Sequence, residues 1–158
     1  MDPRYECLRL QNQLCFPLYL CAKELVRRYD GMLSELSLTY TQYLVMMFLW
    51  ERGGTNVKEL SRCVMLDPST LTPLLKKLEQ KGYLTRTRSD ADQRNLLLAL
   101  TPEGEALRDR ALCVPQRMGR CFGLTAGEAA ELWRLTRKVL DNVACAAPAP
   151  QNADDETK

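Results

Sequence analysis

Apolar positions along this chain return at intervals that change character from one stretch to the next. Between residues 12 and 36, Leu14, Leu18, Cys21/Ala22, Leu25, Tyr29 and Met32/Leu33 recur every three to four positions. That spacing predicts one long amphipathic helix, or a helix broken near Gly31. Thr39, with Gln42 three residues on, forms a capping-box pattern. It opens a very apolar helix carrying Tyr43, Leu44, Met47, Phe48 and Trp50, which Gly53-Gly54 ends. Asn56 and Glu59 then start a short helix with Val57, Leu60 and Val64 on one face. A tight turn follows at Met65–Leu66–Asp67. Asp67 suits an N-cap and Pro68 the first helical position. Leu71, Leu74, Leu75 and Leu78 make the next apolar face, and Gly82 ends that helix in a left-handed conformation. Ser69 and Thr70 follow Pro68, and Thr70, Thr72, Lys76, Lys77 and Lys81 fall largely off the apolar face.

Here the period shifts from helix to strand. Leu84-Thr85-Arg86-Thr87-Arg88 and the run Leu96 to Leu100 flank a polar loop, Ser89 to Asn95, and read as a hairpin. Thr101-Pro102 caps a further helix running to about Val114, interrupted by Pro115 and Gly119. Thr125 and Glu128 form a second capping box, before a stripe of Leu132, Trp133, Leu135, Val139, Leu140 and Val143. Residues 146–158 lack large apolar side chains and are expected to be a disordered tail.

Helix, short turn, helix and hairpin in this order is the layout of a winged helix-turn-helix. Such a unit places its second helix in the DNA major groove, and its hairpin tip reaches the backbone or minor groove. The expected fold class is therefore mainly α with a small β-hairpin wing (α+β). A single domain over residues 1–145 would carry the DNA-binding lobe at about 55–100. The long striped helices at about 8–36 and 102–145 exceed what that lobe can cover, and a dimer interface is their natural use. Two-fold symmetry would then match a palindromic operator. A self-contained helical subdomain is the plain alternative.

Charge sharpens this picture. The chain of 158 residues has a net charge of only +2. Residues 54–100, however, hold eight Lys/Arg against five acids, while residues 1–53 balance and residues 101–158 are net −1. A local basic surface is what phosphate contact needs. A solvated basic face used for protein contacts would show the same charge. Apolar content of 46% and charged content of 27% are ordinary for a soluble globular domain. The N-terminus has no apolar core of a signal peptide, and no apolar run approaches the ~20 residues of a membrane span. A cytoplasmic location without membrane association is the expectation.

The run LDPSTLTPLLKKLEQKGYLTRTRSDADQRNLLLALTPEGEAL resembles the DNA-binding lobe of the MarR family of bacterial regulators. The matching pieces are the Ser/Thr-rich helix start, LLKKLEQKGYLTR, the D-x-R at Asp92–Arg94 and the LTPEG helix start, and the resemblance extends over most of residues 8–143. It implies a homodimer on double-stranded DNA, with Ser69, Thr70, Thr72, Lys76 and Lys77 facing the major groove. Arg94 would enter the minor groove, with Asp92 orienting its guanidinium. Arg86 and Arg88 complete the candidate DNA-binding set. Pro73 removes one hydrogen bond inside the recognition helix and bends its axis.

Seven cysteines (7, 15, 21, 63, 113, 121 and 145) occur with no histidine. None are paired at zinc-ligand spacing, so neither a metal nor another cofactor is expected. An odd count in a chain expected to be cytosolic argues against a disulfide framework. Cys7, Cys21 and Cys63 read as small buried hydrophobes, and Cys145 falls at the start of the tail. Cys15 lies near the start of the first long helix. A helix N-terminus and hydroxyl donors both favour the reactive thiolate. Tyr19 is one turn on, and Tyr29 and Tyr40 are further candidate donors. Leu14, Phe16, Met46, Met47 and Phe48 could form an apolar pocket around the sulfur. From spacing alone, core filler is the favoured reading of Cys15.

The stretch NQLCFPLYLCAKELVRRYDGMLSELSLTYTQYLVMMFLWE resembles the organic-hydroperoxide-resistance regulators, the OhrR branch of the MarR family. The resemblance implies that Cys15 is a peroxide sensor with Tyr29 and Tyr40, and Tyr19 as a further match, bonding its sulfur. In two-cysteine members the oxidised sensor pairs with a C-terminal cysteine of the other subunit. Cys121 lies in the matching region, with Cys113 as the fallback; a mixed disulfide with a small thiol is the alternative. The branch usually has a small or apolar residue at Pro17. Proline there is expected to force the helix to start at about Leu14 or Cys15, setting the sulfur at the positive helix end. The implied function is a repressor that releases its operator when organic hydroperoxide oxidises Cys15. The implied target gene encodes a thiol peroxidase for organic hydroperoxides. Three other readings compete: a MarR-type repressor released by a small aromatic ligand, a cysteine peroxidase, and a pure interaction module. The lack of histidine and of a reductant-docking motif argues against an enzyme.

Overall fold

The computed structural model describes residues 3–88 and 96–146, with side chains described to residue 144. Two compact units divide the chain, residues 1–118 and 119–158. The first unit opens with two short 3-10 turns, Pro3–Leu8 and Leu10–Asn12, and continues into α1, Cys15–Leu33. A 3-10 turn at Ser34–Leu36 leads to α2 (Tyr40–Arg52), β1 (Gly54–Asn56), α3 (Val57–Val64) and α4 (Pro68–Gln80). Strands β2 (Leu84–Arg88) and β3 (Leu96–Leu100) and helix α5 (Pro102–Ala111) follow. Helix α6 is Cys113–Phe122, and α7, Ala126–Ala146, belongs to the second unit. Mainly α with a small antiparallel sheet, this is the predicted winged helix-turn-helix.

Local signals explain the helix boundaries. Thr39 Oγ1 accepts from the Gln42 N–H, and the Gln42 side chain accepts from the Thr39 N–H, so the capping box closes as predicted. Asn56 caps α3 through the Glu59 N–H at 2.8 Å, and Thr101 caps α5 through the Gly104 N–H at 3.0 Å. Thr125 and Glu128 close the box that starts α7. At the end of α4, Gly82 takes φ +74°. Its N–H reaches the Glu79 carbonyl and the Tyr83 N–H reaches the Leu78 carbonyl, the paired bonds of a Schellman motif. Asp67 departs from expectation. It occupies the N-cap position of α4, but its side chain makes no capping bond. The Thr70 N–H it would cap donates at 2.9 Å to the Asp67 main-chain carbonyl instead.

The core of the first unit gathers around α2, α4 and the sheet. Leu33, Val45, Met46, Leu49, Leu60, Leu71, Leu75, Leu78, Leu84 and Leu98 are buried in one cluster with Leu107 and Val114. Full burial of each such side chain contributes about 1.5–3 kcal/mol, so α4 is fixed by its apolar face while its other face stays in solvent. The sheet has three strands in the order β1-β3-β2, all antiparallel. Strand β1 was not legible in the sequence, because three residues are too few for an alternating pattern and only Thr55 turns inward.

Several boundaries differ from the sequence reading. Helix α1 begins at Cys15, the start expected from Pro17 rather than the residue 12 at which the apolar stripe opens, and it passes through Gly31 unbroken. The interruption expected at Pro115 and Gly119 falls instead at Leu112, between α5 and α6. Pro115 is the third residue of α6, where its missing N–H costs no helical bond. Cys145 lies in the last turn of α7 rather than at the start of a tail. The expected tail, 146–158, begins one residue inside α7, which ends at Ala146; residues 147–158, and the loop bearing Asp92 and Arg94, lie outside the described residues. Among the described residues no helix is long and apolar enough to cross a membrane.

Candidate functional site

The outer face of α4 presents the predicted groove-facing side chains. Ser69, Thr70, Thr72, Lys76 and Lys77 are all exposed. They are so because the helix has a 3.6-residue period and its leucines point inward. Among the described residues neither Lys76 nor Lys77 is in an ion pair, so both ammonium groups are available to phosphate. Thr72 Oγ1 donates to the Pro68 carbonyl at 2.7 Å. Because Asp67 makes no side-chain capping bond, the Ser69 N–H at the positive end of α4 has no hydrogen-bond partner among the described residues.

The two arginines of β2 behave differently. Arg88 is exposed near the strand end. Arg86 is committed inside the protein: its Nε and Nη2 donate to one carboxylate oxygen of Glu79, at 2.9 and 2.6 Å. The guanidinium holds the Glu79 carboxyl below the usual carboxylate range. The pair ties the last turn of the recognition helix to the base of the wing. Nothing in the sequence marked Glu79 as its partner, because the contact forms across a turn whose geometry only the fold sets.

A second constellation lies at the start of α1. Cys15 is its first residue and is exposed, as the position of Pro17 predicts: proline tolerates the first turn and blocks an earlier helical start. The preceding Asn12 and Gln13 hold the arm that leads in. Asn12 Nδ2 donates to the Glu6 carbonyl at 2.8 Å, and Gln13 Nε2 donates to the Cys7 carbonyl. These two residues of the NQLCF run carry no predicted role, yet they orient the segment entering the helix. Tyr19 is one turn after Cys15 and exposed.

Tyr29 and Tyr40 come together: their ring centroids are 4.7 Å apart, and Tyr43 lies 6.0 Å from Tyr29. Burial raises the pKa of all three phenols, that of Tyr43 to about 12. Within one chain this cluster does not meet Cys15. Fourteen residues of α1 separate Cys15 from Tyr29, about 21 Å at 1.5 Å per residue. The expected apolar pocket is likewise not assembled in one chain. Met46 and Phe48 belong to the core, and Leu14 is 72% exposed. The hollow of about 340 Å³ on α1 is lined by Glu24, Arg27, Arg28 and Gly31 and is polar in character.

The remaining cysteines correct the sequence reading. Cys7, Cys21 and Cys63 are exposed rather than buried. Cys7 sits in the N-terminal arm, Cys21 on the open face of α1, and Cys63 in the last turn of α3. Cys113 and Cys121, at the two ends of α6, are also exposed.

A helix with a free polar face, preceded by a packed helix and followed by a basic hairpin, defines a winged helix-turn-helix DNA-binding protein. The MarR family pattern matches residues 38–96. The chain is 38% identical over 135 residues to the organic hydroperoxide resistance transcriptional regulator of Bacillus subtilis, covering 85% of this chain and 90% of that one. It also matches reduced AbfR bound to DNA, with TM-score 0.73 and 32% identity, covering 89% of this chain and 99% of that one. Against disulfide-formed AbfR the TM-score is 0.59 and the identity 31%, covering 89% and 93% of the two chains. The chain belongs to the MarR family and is a MarR-type DNA-binding transcriptional regulator.

Proposed function

We propose that the chain acts as a homodimeric repressor whose hold on a palindromic operator is released when organic hydroperoxide oxidises Cys15. Reduced protein sets Ser69, Thr70, Thr72, Lys76 and Lys77 in successive major grooves, with Arg88 near the backbone and Arg94, oriented by Asp92, in the minor groove. Arg86 serves as a brace through Glu79 rather than as a DNA contact. The exposed apolar side chains at the start of α1 and along α7, including Leu14, Leu18, Trp133 and Val143, are covered by the second copy.

The observation that carries the reading is the position of Cys15. Cys15 is exposed at the positive end of α1, and the tyrosine pair suited to bond it lies well away, with Tyr29 toward the far end of the same helix and Tyr40 of α2 packed against it. A two-fold-related copy whose α1 runs antiparallel supplies Tyr29 and Tyr40 to Cys15 in trans, beside Tyr19 in cis. Apolar side chains that the second copy brings near the sulfur, Met47 among them, would favour a hydroperoxide with a hydrocarbon substituent. The Cys15 thiolate attacks the hydroperoxide, breaking the O–O bond. Sulfur takes the hydroxyl, and the other oxygen leaves with its organic group as an alcohol after protonation. The Cys121 thiol of the partner subunit then displaces water from the sulfenic acid to form a disulfide. Similarity to a regulator of organic hydroperoxide resistance and to a disulfide-formed relative supports this sequence.

Treatment with cumene hydroperoxide should give a covalent dimer on non-reducing gels that Cys15→Ser and Cys121→Ser both abolish. A dimer that survives Cys121→Ser but not Cys113→Ser would reassign the resolving cysteine. A dimer that survives Cys15→Ser would overturn the sensor assignment.

A further inference from the structure

We propose that Lys81 is a positioning residue that couples the tyrosine end of the sensor to the recognition helix; the inference rests on the redox reading above. Lys81 is the C-cap of α4. Its ammonium leaves the DNA-binding helix and donates to two acceptors on another element: the Ser37 carbonyl and, at 3.0 Å, Gln42 Oε1. Both acceptors belong to the entry of α2. Ser37 holds a left-handed conformation at φ 55°, and Gln42 is only 3% exposed. The same Gln42 oxygen accepts the Thr39 N–H of the capping box.

Tyr40 is the first residue of α2, so it lies between the two anchor points of that ammonium. Its ring stacks against Tyr29. A change at the sulfur that shifts Tyr40 must therefore shift the Thr39–Gln42 turn, and the turn is bonded to the end of α4. That end is also bonded to the wing through Glu79 and Arg86, and to the start of α5 through Thr101 Oγ1 and the Gly82 carbonyl. Recognition helix and wing thus respond together to the start of α2. A charge-assisted bond suits this role because one ammonium can hold two acceptors of a rigid turn at once.

The test compares operator Kd for reduced and cumene hydroperoxide-treated protein in wild type, Lys81→Met, Lys81→Arg and Gln42→Glu, with Cys15 oxidation followed by mass spectrometry. Lys81→Met keeps the side-chain stem and removes the donors. It is expected to leave reduced binding within about threefold and Cys15 oxidation unchanged, while the oxidised-to-reduced Kd ratio falls by about tenfold or more. Lys81→Arg and Gln42→Glu, which keep donor and acceptor, are expected to retain the wild-type ratio. A Lys81→Met ratio equal to wild type overturns the inference alone. So does a loss of reduced binding beyond about tenfold, which would make Lys81 a DNA contact or a plain support. A wild-type ratio of one overturns the redox reading and this inference with it.

Discussion

Replacing Gly104 with alanine sets two opposing effects against each other, and the structure says which wins. Gly104 is in the first turn of α5, where its N–H meets the Thr101 hydroxyl and its carbonyl accepts the Trp50 Nε1–H at 2.8 Å. A Cβ built there would lie 1.9 Å from the Tyr83 carbonyl oxygen, 2.9 Å from its carbon and 3.2 Å from Leu100 Cδ2. The first neighbour is main chain and cannot rotate away. Restoring ordinary contact requires about 1.5 Å of movement, given that 3.4 Å is ordinary. That movement strains the bond in which the Tyr83 carbonyl accepts the Thr101 N–H. Overpacking of this kind costs roughly 1–3 kcal/mol, and a weakened hydrogen bond adds about 1 kcal/mol. The helix preference of alanine returns at most about 1 kcal/mol. The net is a destabilisation of about 1–3 kcal/mol, read as a melting temperature lower by roughly 3–10 °C. Differential scanning calorimetry measures it, with Gly127→Ala as the control, since nothing lies within 4 Å of a Cβ at Gly127. A Gly104→Ala protein as stable as wild type would refute the packing argument.

Other consequences follow from the same contacts. The depressed pKa of Glu79 means its stabilisation is present above the ordinary value of 4.5 and is lost as pH falls through the lower folded value. Glu79→Gln should flatten the acid limb of a stability–pH curve, and an unchanged acid limb would contradict the pairing with Arg86. Tyr29, Tyr40 and Tyr43 have raised pKa values, so their contribution is full below about 10 and is lost as pH rises toward the folded values. Phenolate absorbance should show three of the six tyrosines titrating late, and Tyr43→Phe should remove the latest step. Leu75→Ala, at a side chain 1% exposed, should cost about 2–5 kcal/mol in urea unfolding; a cost near zero would mean the α4 face is not the packed one.

Much of this architecture is written in periodicity. The stripe Leu71, Leu74, Leu75 and Leu78, the boxes at Thr39–Gln42 and Thr125–Glu128, and Gly82 each mark a feature that depends on residues within one turn. Features built from distant residues were less legible. The strand Gly54–Asn56 exists because Leu98 supplies a partner, not because its own sequence alternates. The exposure of Cys21 and Cys63 depends on which side of a helix the core lies, and small residues sit on either side. Asp67 shows the limit of a positional rule: the right residue stands at the right place while its main chain satisfies the donor. Of the candidate sites, the exposure of the polar face of α4 could be read directly. The tyrosine pair could be named but not assembled, because its proposed partner sulfur lies one α1 length away. The links from Glu79 to Arg86 and from Lys81 to Gln42 left no trace in the sequence pattern.

The central claim is that the oxidation state of Cys15 controls DNA binding. Its most direct test is a gel-shift titration of a palindromic site from the chain's own upstream region. It is run with and without cumene hydroperoxide, for wild type and Cys15→Ser. The account predicts that both reduced proteins bind and that peroxide abolishes binding only in the wild type. Peroxide-insensitive binding by both proteins would contradict it, as would equal loss of binding in the two.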